Sequence, residues 1–279
     1  MADKVWFITG CSTGFGRELA LAALSQGDQV VATARNVDSL SELTQRWPEH
    51  CKALALDVTN HDQIPLVVAE AIAAFGRIDV LVNNAGFGLV GSVEETSWEQ
   101  IQQSFAVNFF GPLELIRAVM PHFRERKAGR IVNMSAAAAI SNYAGFGIYG
   151  AAKCALEGMS EALVQEGRAF GLKVTLVQPG PFRTDFVARS LEKADSSIPE
   201  YAGTVGRFAR LIESMHGKQP GDPARAALAI VQAVDAERPP MRLVLGKYAI
   251  DKARRDWTQR EAELREWEHA GISADGPYL

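Results

Sequence analysis

The sequence lacks the features that define several classes of protein. No apolar run reaches the roughly 20 residues of a membrane-spanning helix. No block of like charges marks a surface for nucleic acid or anionic lipid, and the formal net charge is only −4. We therefore expect neither a membrane nor a nucleic-acid partner.

The cysteines, the histidines and the N-terminus exclude further classes. The three cysteines are scattered and odd in number, which suits reduced thiols in a cytoplasm rather than a disulfide framework. The five histidines show no metal-ligand spacing, so we expect no metal site. The chain enters its first predicted strand after four residues, which leaves no room for a signal peptide and favours a cytoplasmic location.

Apolar, β-prone runs alternate with helical patterns along the chain, which predicts a parallel sheet covered by helices on both faces. The predicted strands are residues 5–9, 29–34, 51–56, 78–83, 130–134, 173–177 and 241–245. The predicted helices lie near residues 15–26, 38–46, 62–75, 97–125, 148–170 and 222–236. No linker or internal repeat divides the sequence. We therefore predict an α/β fold, a Rossmann-type doubly wound parallel sheet in a single domain of residues 1–279.

Two segments depart from this alternation. Residues 182–221 form a long stretch without a clean strand. The C-terminal extension, residues 251–279, is highly charged but places Trp257, Leu264 and Trp267 at helical spacing on one face. We expect this stripe to pack on the protein's own core, with a subunit contact as the alternative.

A glycine-rich turn follows the first predicted strand and precedes the first predicted helix. Its glycines, Gly10, Gly14 and Gly16, have the spacing G-x-x-x-G-x-G. Glycine permits a tight turn and lets a pyrophosphate approach the backbone N–H groups at a helix start. A strand before and a helix after are the context of a dinucleotide-binding turn. The residues expected to contact the cofactor here are Gly10, Ser12, Thr13, Gly14, Phe15 and Gly16.

A tyrosine and a lysine lie one helical turn apart, at Tyr149 and Lys153. Positions i and i+4 share one face of a helix. An ammonium group beside a phenol stabilises the phenolate, which makes the tyrosine's proton transferable near neutral pH. The pair therefore predicts a general acid/base.

Together these motifs resemble the short-chain dehydrogenase/reductase family over roughly residues 4–190. The matching motifs, in the family's order, are Thr9-Gly10 with Gly14 and Gly16, Leu56-Asp57-Val58, Asn83-Asn84-Ala85-Gly86, Asn108, Tyr149 with Lys153, and Pro179-Gly180 with Thr184. The stretches 156–163 and 179–185 are most similar to a branch with 17β-hydroxysteroid and retinol dehydrogenase-like members.

The resemblance implies roles for these positions. Hydride passes between the nicotinamide ring and a carbinol carbon, while Tyr149 gives or takes the hydroxyl proton. Lys153 lowers the pKa of Tyr149 and holds the ribose hydroxyls, and Asn108 positions Lys153 and kinks its own helix. The other implied cofactor contacts are Asp57 and Val58 at the adenine, Asn84, Ala85 and Gly86 along the ribose, Pro179 and Gly180, and Thr184 at the carboxamide. The segment 182–221 corresponds to the family's substrate lid.

The end of the second predicted strand indicates which dinucleotide binds. A carboxylate at that position would accept hydrogen bonds from the adenosine ribose and favour NAD. The sequence has Ala34 there, and Arg35 follows. A guanidinium binds a phosphate bidentately and stays charged, which favours NADP(H).

One position departs from the family. The family has a serine 13 residues before the tyrosine, and Ala136 stands at that place. The missing hydroxyl would donate to the substrate oxygen, and loss of one such donor typically costs about 10²–10³ in rate. We interpret Ala136 as a sign of an inactive or engineered variant. A neighbouring donor (Ser135, Ser141, Asn142 or Tyr143) is a second explanation, and a non-catalytic NADP(H)-binding sensor or scaffold is a third.

The predicted substrate and assembly follow from apolar and small residues. The residues expected to line the pocket are Phe87, Leu89, Val90, Tyr143, Phe146, Phe182 and Phe186. Such a lining favours a hydrophobic alcohol or a ketone or aldehyde over a sugar. An epimerase or dehydratase would use the same tyrosine and lysine, but its family branch has a different glycine spacing. A homodimer or homotetramer is expected through helices 97–125 and 148–170, the second of which carries Ala151, Ala152, Ala155 and Gly158.

Overall fold

The computed structural model describes residues 4–276, which form an α/β fold. The strands are β1 (Val5–Ile8), β2 (Gln29–Ala34), β3 (Cys51–Ala55), β4 (Val80–Asn83), β5 (Gly88–Val90), β6 (Gly129–Met134), β7 (Leu172–Pro179), β8 (Leu191–Lys193) and β9 (Arg242–Leu245). Seven of them form one parallel sheet in the order β3-β2-β1-β4-β6-β7-β9, and β5 pairs with β8 in a small separate sheet. The predicted doubly wound parallel sheet and single-domain fold are confirmed.

Helices cover both faces of the large sheet. They are α1 (Gly14–Ser25), α2 (Ser41–Arg46), α3 (Gln63–Phe75), α4 (Trp98–Phe105), α5 (Gly111–Arg126), α6 (Ala137–Ile140), α7 (Gly147–Gly167), α8 (Phe186–Arg189), α9 (Val205–Ser214), α10 (Pro223–Asp235) and α11 (Lys247–Ile272). Short 3₁₀ turns occupy Val37–Leu40, Arg168–Phe170 and Pro199–Tyr201. Helices α1 and α10 pack on one face of the sheet, and α3, α5 and α7 pack on the other.

The strands are apolar on both sides because helices bury both faces of the sheet. In β1, Trp6 and Ile8 face the layer of α1 and α10, whereas Phe7 faces the layer of α3 and α5. This alternation follows from the two-residue period of a strand. Strand order reverses between β1 and β4, so a crevice opens at the carboxyl ends of these strands.

Several predicted boundaries need correction. The helix predicted over 97–125 is interrupted by a π-helical turn at Ala106–Phe110, between α4 and α5. The segment 182–221 is more regular than predicted, because it contains α8, α9 and the strand β8. Pairing with β5 explains this strand, since a three-residue strand is too short to show a pattern of its own.

The prediction for the C-terminal stripe is wrong. Trp257, Leu264 and Trp267 do lie on one helix, α11, but their side chains are 61%, 65% and 67% exposed. The first turns of α11 pack on the domain through Ala249 and Ala253, and Arg260 donates to the Ile140 carbonyl at 3.1 Å. The helical period was visible in the sequence, but the position at which α11 leaves the domain depends on tertiary packing. Residues 277–279 of the predicted extension lie outside the described residues.

Within residues 4–276, no helix combines the length and the apolar character needed to cross a membrane.

Candidate functional site

A cavity of about 540 Å³ opens at the crevice where strand order reverses. One end lies at the glycine-rich turn, and the other lies among aromatic side chains of α9 and neighbouring loops. Tyr149 and Lys153 lie between these ends. All the predicted catalytic and cofactor positions line this cavity except Gly16.

The glycine-rich turn presents a helix start with unused donors. Thr13 is the N-cap of α1, and its side chain makes no capping hydrogen bond, so the first N–H groups of the helix face the cavity without an intrahelical partner. Gly10 and Gly14 have φ values of 71° and 60°, which L side chains rarely adopt. A Cβ at Gly16 would collide with the Gly10 carbonyl, so only glycine lets the start of α1 pack this closely on the turn. The turn fits a pyrophosphate.

Asn84 ties the glycine-rich turn to the end of β4. Its side-chain amide donates to the carbonyls of Thr9 (2.8 Å) and Gly10 (3.1 Å). In return the Thr9 hydroxyl accepts from the backbone N–H groups of Asn84 and Ala85. The side chain of Asn84 therefore fixes the shape of the crevice between β1 and β4.

Charged groups mark the far end of the turn. Arg35 directly follows β2, is exposed and lines the cavity. Asp57 accepts hydrogen bonds from the backbone N–H of Thr59 (2.9 Å) and its hydroxyl (2.7 Å). The backbone bond from Thr59 is the main reason that the pKa of Asp57 is lowered, and the charge of Arg35 contributes. Asp57 therefore stays a carboxylate beside Arg35.

Tyr149 and Lys153 are both buried on α7, with exposures of 7% and 5%. The Lys153 ammonium donates to the Met134 carbonyl (2.9 Å) and lies 5.8 Å from the centre of the Tyr149 ring. Burial raises the pKa of Tyr149 and lowers that of Lys153 to about 8, because both charged forms lose solvation. For Tyr149, burial thus acts against the lowering of its pKa predicted from the neighbouring ammonium.

Asn108 lies in the π-helical turn between α4 and α5 and is fully buried. Its side-chain amide donates to the carbonyls of Phe87 and Ser104, both at 3.0 Å. Its Oδ1 has no hydrogen-bond partner among the described residues. A Cβ at Gly86 would approach this oxygen within 2.9 Å and the Lys153 ammonium within 3.5 Å, so glycine keeps the space between them open. The break in the helix therefore presents an unused acceptor toward Lys153.

Ala136 is buried and packs in the same apolar cluster as Tyr149. The preceding Ser135 also lines the cavity, and its hydroxyl donates to the Glu157 carboxylate at 2.5 Å. Gln178 donates to the same carboxylate at 2.8 Å. Ser135 therefore serves a buried polar network behind the site.

The other neighbouring donors are also placed by the structure. The Asn142 side chain donates to the Phe146 carbonyl and accepts from the Tyr143 N–H. Ser141 and Asn142 lie outside the cavity lining, whereas Tyr143 lines it. Burial and a hydrogen bond with Tyr248 raise the pKa of Tyr143, so its hydroxyl stays protonated. Among the four predicted substitutes, Ser135 and Tyr143 line the cavity, and the Ser135 hydroxyl is already bonded to Glu157.

The aromatic end of the cavity is built largely by α9 and by the loop before α7. The Phe208 ring stacks on Tyr143 (centroids 5.2 Å apart) and meets Phe146 edge-on (4.9 Å). Phe146 in turn contacts the Tyr149 ring at 5.0 Å. These rings form an apolar wall that reaches the proposed proton donor.

The predicted substrate lining is partly correct. Phe87, Tyr143, Phe146, Phe182 and Phe186 line the cavity, but Leu89 and Val90 are buried outside its lining. Val90 packs behind the wall, in the same cluster as Ala136, Phe146 and Tyr149. Further lining residues were not predicted from the sequence. They include Phe208, Leu211 and Ile212 of α9, Met215 directly after it, and Tyr248 of α11. The first four have the spacing i, i+3, i+4 and i+7 of one apolar helix face, which could have revealed them.

The segment 182–221 is fastened to the rest of the domain at several points. The Glu95 carboxylate accepts from the N–H groups of Ser92 and Ile198, each at 2.8 Å, which also lowers the pKa of Glu95. Gln100 donates to the Lys193 carbonyl (2.8 Å). The pairing of β5 with β8 completes this attachment, which places α9 over the aromatic end of the cavity.

Within residues 4–276, no group of three or more histidine, cysteine, aspartate or glutamate side chains has a geometry that could hold a metal ion.

Comparison with known proteins identifies the family. The sequence profile of the family described as short chain dehydrogenase matches residues 4–195. This protein belongs to the short-chain dehydrogenase family. Its members are oxidoreductases that use a nicotinamide cofactor, and the cavity described above lies where the fold binds one.

Relatives and solved structures agree with this assignment. The chain is 34% identical over 272 residues to the oxidoreductase BOA17 of Botryotinia fuckeliana, covering 97% of this chain and 99% of that protein. It is 33% identical over 260 residues to retinol dehydrogenase 8 of Homo sapiens, covering 86% and 81%. A short-chain dehydrogenase structure from Streptomyces avermitilis superposes with a TM-score of 0.93 at 43% identity, covering 98% of this chain and 99% of that one.

Proposed function

We propose that this short-chain dehydrogenase is an NADP(H)-dependent oxidoreductase that interconverts a hydrophobic secondary alcohol and a ketone, or an aldehyde, with Tyr149 as general acid/base. The observation that carries the proposal is the buried pair Tyr149 and Lys153 between two unlike ends of one cavity. One end offers backbone donors and a free guanidinium, and the other end is aromatic. This arrangement suits a charged dinucleotide at one side and an apolar substrate at the other.

The first end fits the dinucleotide. The helix start after Gly10 and Gly14 would hold the pyrophosphate, Asp57 and Val58 the adenine, and Arg35 the 2′-phosphate. Ala34 supplies no carboxylate to compete for the ribose hydroxyls, which supports NADP(H) over NAD(H). When bound, the nicotinamide supplies or accepts the hydride, and the protein supplies orientation and the proton.

The proton chemistry follows from burial and charge. In the reducing direction the neutral phenol is the donor, and burial of Tyr149 keeps it protonated. Lys153, with a pKa of about 8, is an ammonium at neutral pH and stabilises the phenolate that forms as the proton leaves. Asn108 offers an unused acceptor beside this ammonium and would position it.

Ala136 sets the expected level of activity. Without a hydroxyl at this position, and with Ser135 bonded to Glu157, the substrate oxygen has Tyr149 as its main donor. The proposed enzyme is therefore slow as it stands. Tyr143 is the neighbouring residue best placed to substitute, because it lines the cavity and the Ser135 hydroxyl is engaged by Glu157.

The substrate and assembly proposals rest on the other surfaces. The wall formed by Phe146, Phe208 and their neighbours supports an apolar substrate. The relative named as a retinol dehydrogenase also supports this choice. The segment 182–221, which carries α9, would act as the substrate lid.

Ala151 and Gly158 are exposed on α7 and would permit close approach of a second subunit, whereas Ala152 is buried in the core of its own subunit. The cytoplasmic location stays a prediction.

The experiment is a paired binding and turnover assay. NADPH and NADH are titrated against the purified chain, and NADPH consumption is followed with a panel of apolar ketones and aldehydes. We expect NADPH to bind at least tenfold more tightly than NADH, and slow but measurable turnover. Equal affinities would overturn the cofactor assignment.

A second candidate function is supported by Ala136 itself. A non-catalytic NADP(H)-binding sensor would need the cofactor end of the cavity but no donor at residue 136. Such a protein would bind NADPH with the same preference and turn over no carbonyl compound, even with serine restored at that position. The buried Tyr149 favours the enzyme, because a binder would use Lys153 at the ribose but has no need of a phenol beside it.

A further inference from the structure

The second half of α11 extends away from the domain beyond Arg260, which donates to the Ile140 carbonyl at 3.1 Å. Ala249 and Ala253 at its start pack on Ala137 and Ile140 of α6. From Trp257 onward every described residue is exposed, over a length of about 24 Å to the helix end at Ile272. The docked first turns nucleate the helix, but its exposed half has little of the tertiary packing that supplies most helix stability in proteins.

The exposed half carries an apolar stripe that continues the buried face. Trp257 and Leu264 are seven residues apart, and Trp267 follows three residues later. Ala253 and Ile250 extend the same pattern backward, in the a and d positions of a heptad repeat. Arg260 occupies the d position between Trp257 and Leu264 and is bonded to the Ile140 carbonyl and to Asp256. The face that packs on the domain at the start of α11 therefore becomes bare at its end. We call Trp257, Leu264 and Trp267 the α11 stripe.

Charge is distributed unequally along the helix. The section before the stripe carries Lys252, Arg254 and Arg255. The section along the stripe carries Glu261, Glu263, Glu266 and Glu268. Neither Arg254 nor Arg255 makes an ion pair within the described residues, nor do Glu266 and Glu268, whereas Arg260 and Arg265 pair within the helix. One end of the helix therefore offers spare positive charge and the other spare negative charge.

We propose that the α11 stripe binds the α11 stripe of a second copy of this chain, with the two helices antiparallel about a two-fold axis. In this arrangement the Arg254 and Arg255 end of each helix lies beside the Glu266 and Glu268 end of the other. A parallel arrangement would instead align like charges along the whole length. Complementary flanking charges set both the partner and the orientation of paired helices.

The stripe is large enough for a specific, modest interface. The two tryptophans, 61% and 67% exposed, offer together about 250 Å² per copy if each ring system has roughly 200 Å². Two copies would bury about 500 Å² from tryptophan alone, roughly half of what a specific interface needs. Leu264 and the aliphatic stems of the flanking charges supply further area. We therefore expect dissociation in the micromolar range.

Charge reversal tests both partner and orientation. Sedimentation of the full-length chain is measured over micromolar concentrations for the parent, for R254E/R255E and for E266R/E268R. Each variant alone places like charges at both ends of the pair, so its mass should fall to half that of the parent. An equimolar mixture of the two should regain the parent mass, because both contacts are then between opposite charges.

A matched leucine pair controls for general effects of an added charge. Leu264→Glu should halve the mass, whereas Leu66→Glu, at a leucine that is 72% exposed on α3, should leave it unchanged. Equal masses for the parent and Leu264→Glu would overturn the proposal. So would a mixture that stays dissociated. If the parent instead binds phosphatidylcholine vesicles and Leu264→Glu does not, while their masses agree, the stripe is a lipid-binding face and the proposal fails.

Discussion

The end of the cavity at Arg35 and the end at Phe208 are built from different kinds of chain segment. Strand ends and a helix start form the first, within the regular alternation of the sheet. The second is formed by α9, by the loop before α7 and by the start of α11, which lie far apart in sequence. The Arg35 end is therefore built by the fold itself, and the Phe208 end is the part expected to determine substrate specificity.

Tyr149 lies where these two ends meet, and its loss should have the largest effect. Tyr149→Phe removes the proton donor but keeps the ring packed on Phe146. We expect NADPH-dependent turnover to fall by about 10³ while NADPH affinity stays within a factor of two. Steady-state kinetics and a binding titration measure the two quantities. Tyr201→Phe, at a half-buried tyrosine bonded to Glu94 and outside the cavity lining, is the control and should change neither. Turnover retained in Tyr149→Phe would remove the mechanism.

Lys153 also lies between the ends, and its burial predicts a pH-dependent stability. Below pH 8 the ammonium is charged in both states, and burying it opposes folding. Between about pH 8 and 10.5 the folded state releases the proton first, so this cost disappears as the pH rises. Lys153→Met should therefore stabilise the protein at pH 7 by about 2 kcal/mol, after the lost bond to Met134 is subtracted.

Thermal unfolding at pH 7 and pH 10.5 measures the difference between parent and variant. The gain at pH 7 should shrink at the higher pH. Lys52→Met, at an exposed lysine, should show no such pH dependence. A constant difference at both pH values would contradict the assigned burial of the charge.

Arg35 tests the cofactor end alone. Arg35→Ala should weaken NADPH binding by about 10- to 100-fold and leave NADH binding unchanged, because a charge-assisted hydrogen bond to the 2′-phosphate is lost. Isothermal titration of both dinucleotides gives the comparison. Arg189→Ala removes an arginine from the opposite end of the same cavity and should leave both affinities intact. Equal weakening of NADPH by both variants would show a general charge effect instead.

Phe208 tests the substrate end alone and should have the smallest effect. Phe208→Ala removes a ring that contacts Tyr143 and Phe146, contacts worth about 0.5–1.5 kcal/mol each. We expect KM for an apolar ketone to rise about 3- to 10-fold with NADPH affinity unchanged, the reverse of the Arg35→Ala profile. A loss of NADPH binding would mean that the two ends are not independent.

The sequence predicted the first end well because its chemistry lies in short motifs. Gly10, Gly14, Tyr149 and Lys153 sit on a strand end or a helix, so local spacing predicted their positions. The π-helical turn at Asn108 was expected only as a kink, because its form depends on packing against Phe87 and Ser104.

The second end was predicted less well because it depends on long-range contacts. The Glu95 carboxylate accepts a hydrogen bond from the backbone N–H of Ile198, and no local sequence pattern predicts a bond between such distant residues. Leu89 was expected in the pocket, yet it is buried outside the cavity lining, on a short strand that pairs with the distant β8. The pKa of Tyr149 could not be predicted from Lys153 alone, since burial of the phenol acts in the opposite direction.

The central claim, a disabled but genuine NADP(H)-dependent oxidoreductase, is tested most directly at Ala136. The measurement is kcat/KM for NADPH-dependent reduction of apolar ketones by the chain and by its Ala136→Ser variant. Restoring the hydroxyl beside Tyr149 should raise kcat/KM by about 10²–10³ and leave NADPH affinity unchanged. A small gain, together with a large loss in Tyr143→Phe, would mean that Tyr143 already serves as the donor. If both proteins bind NADPH and neither reduces any ketone, the claim is contradicted and the chain is a binder.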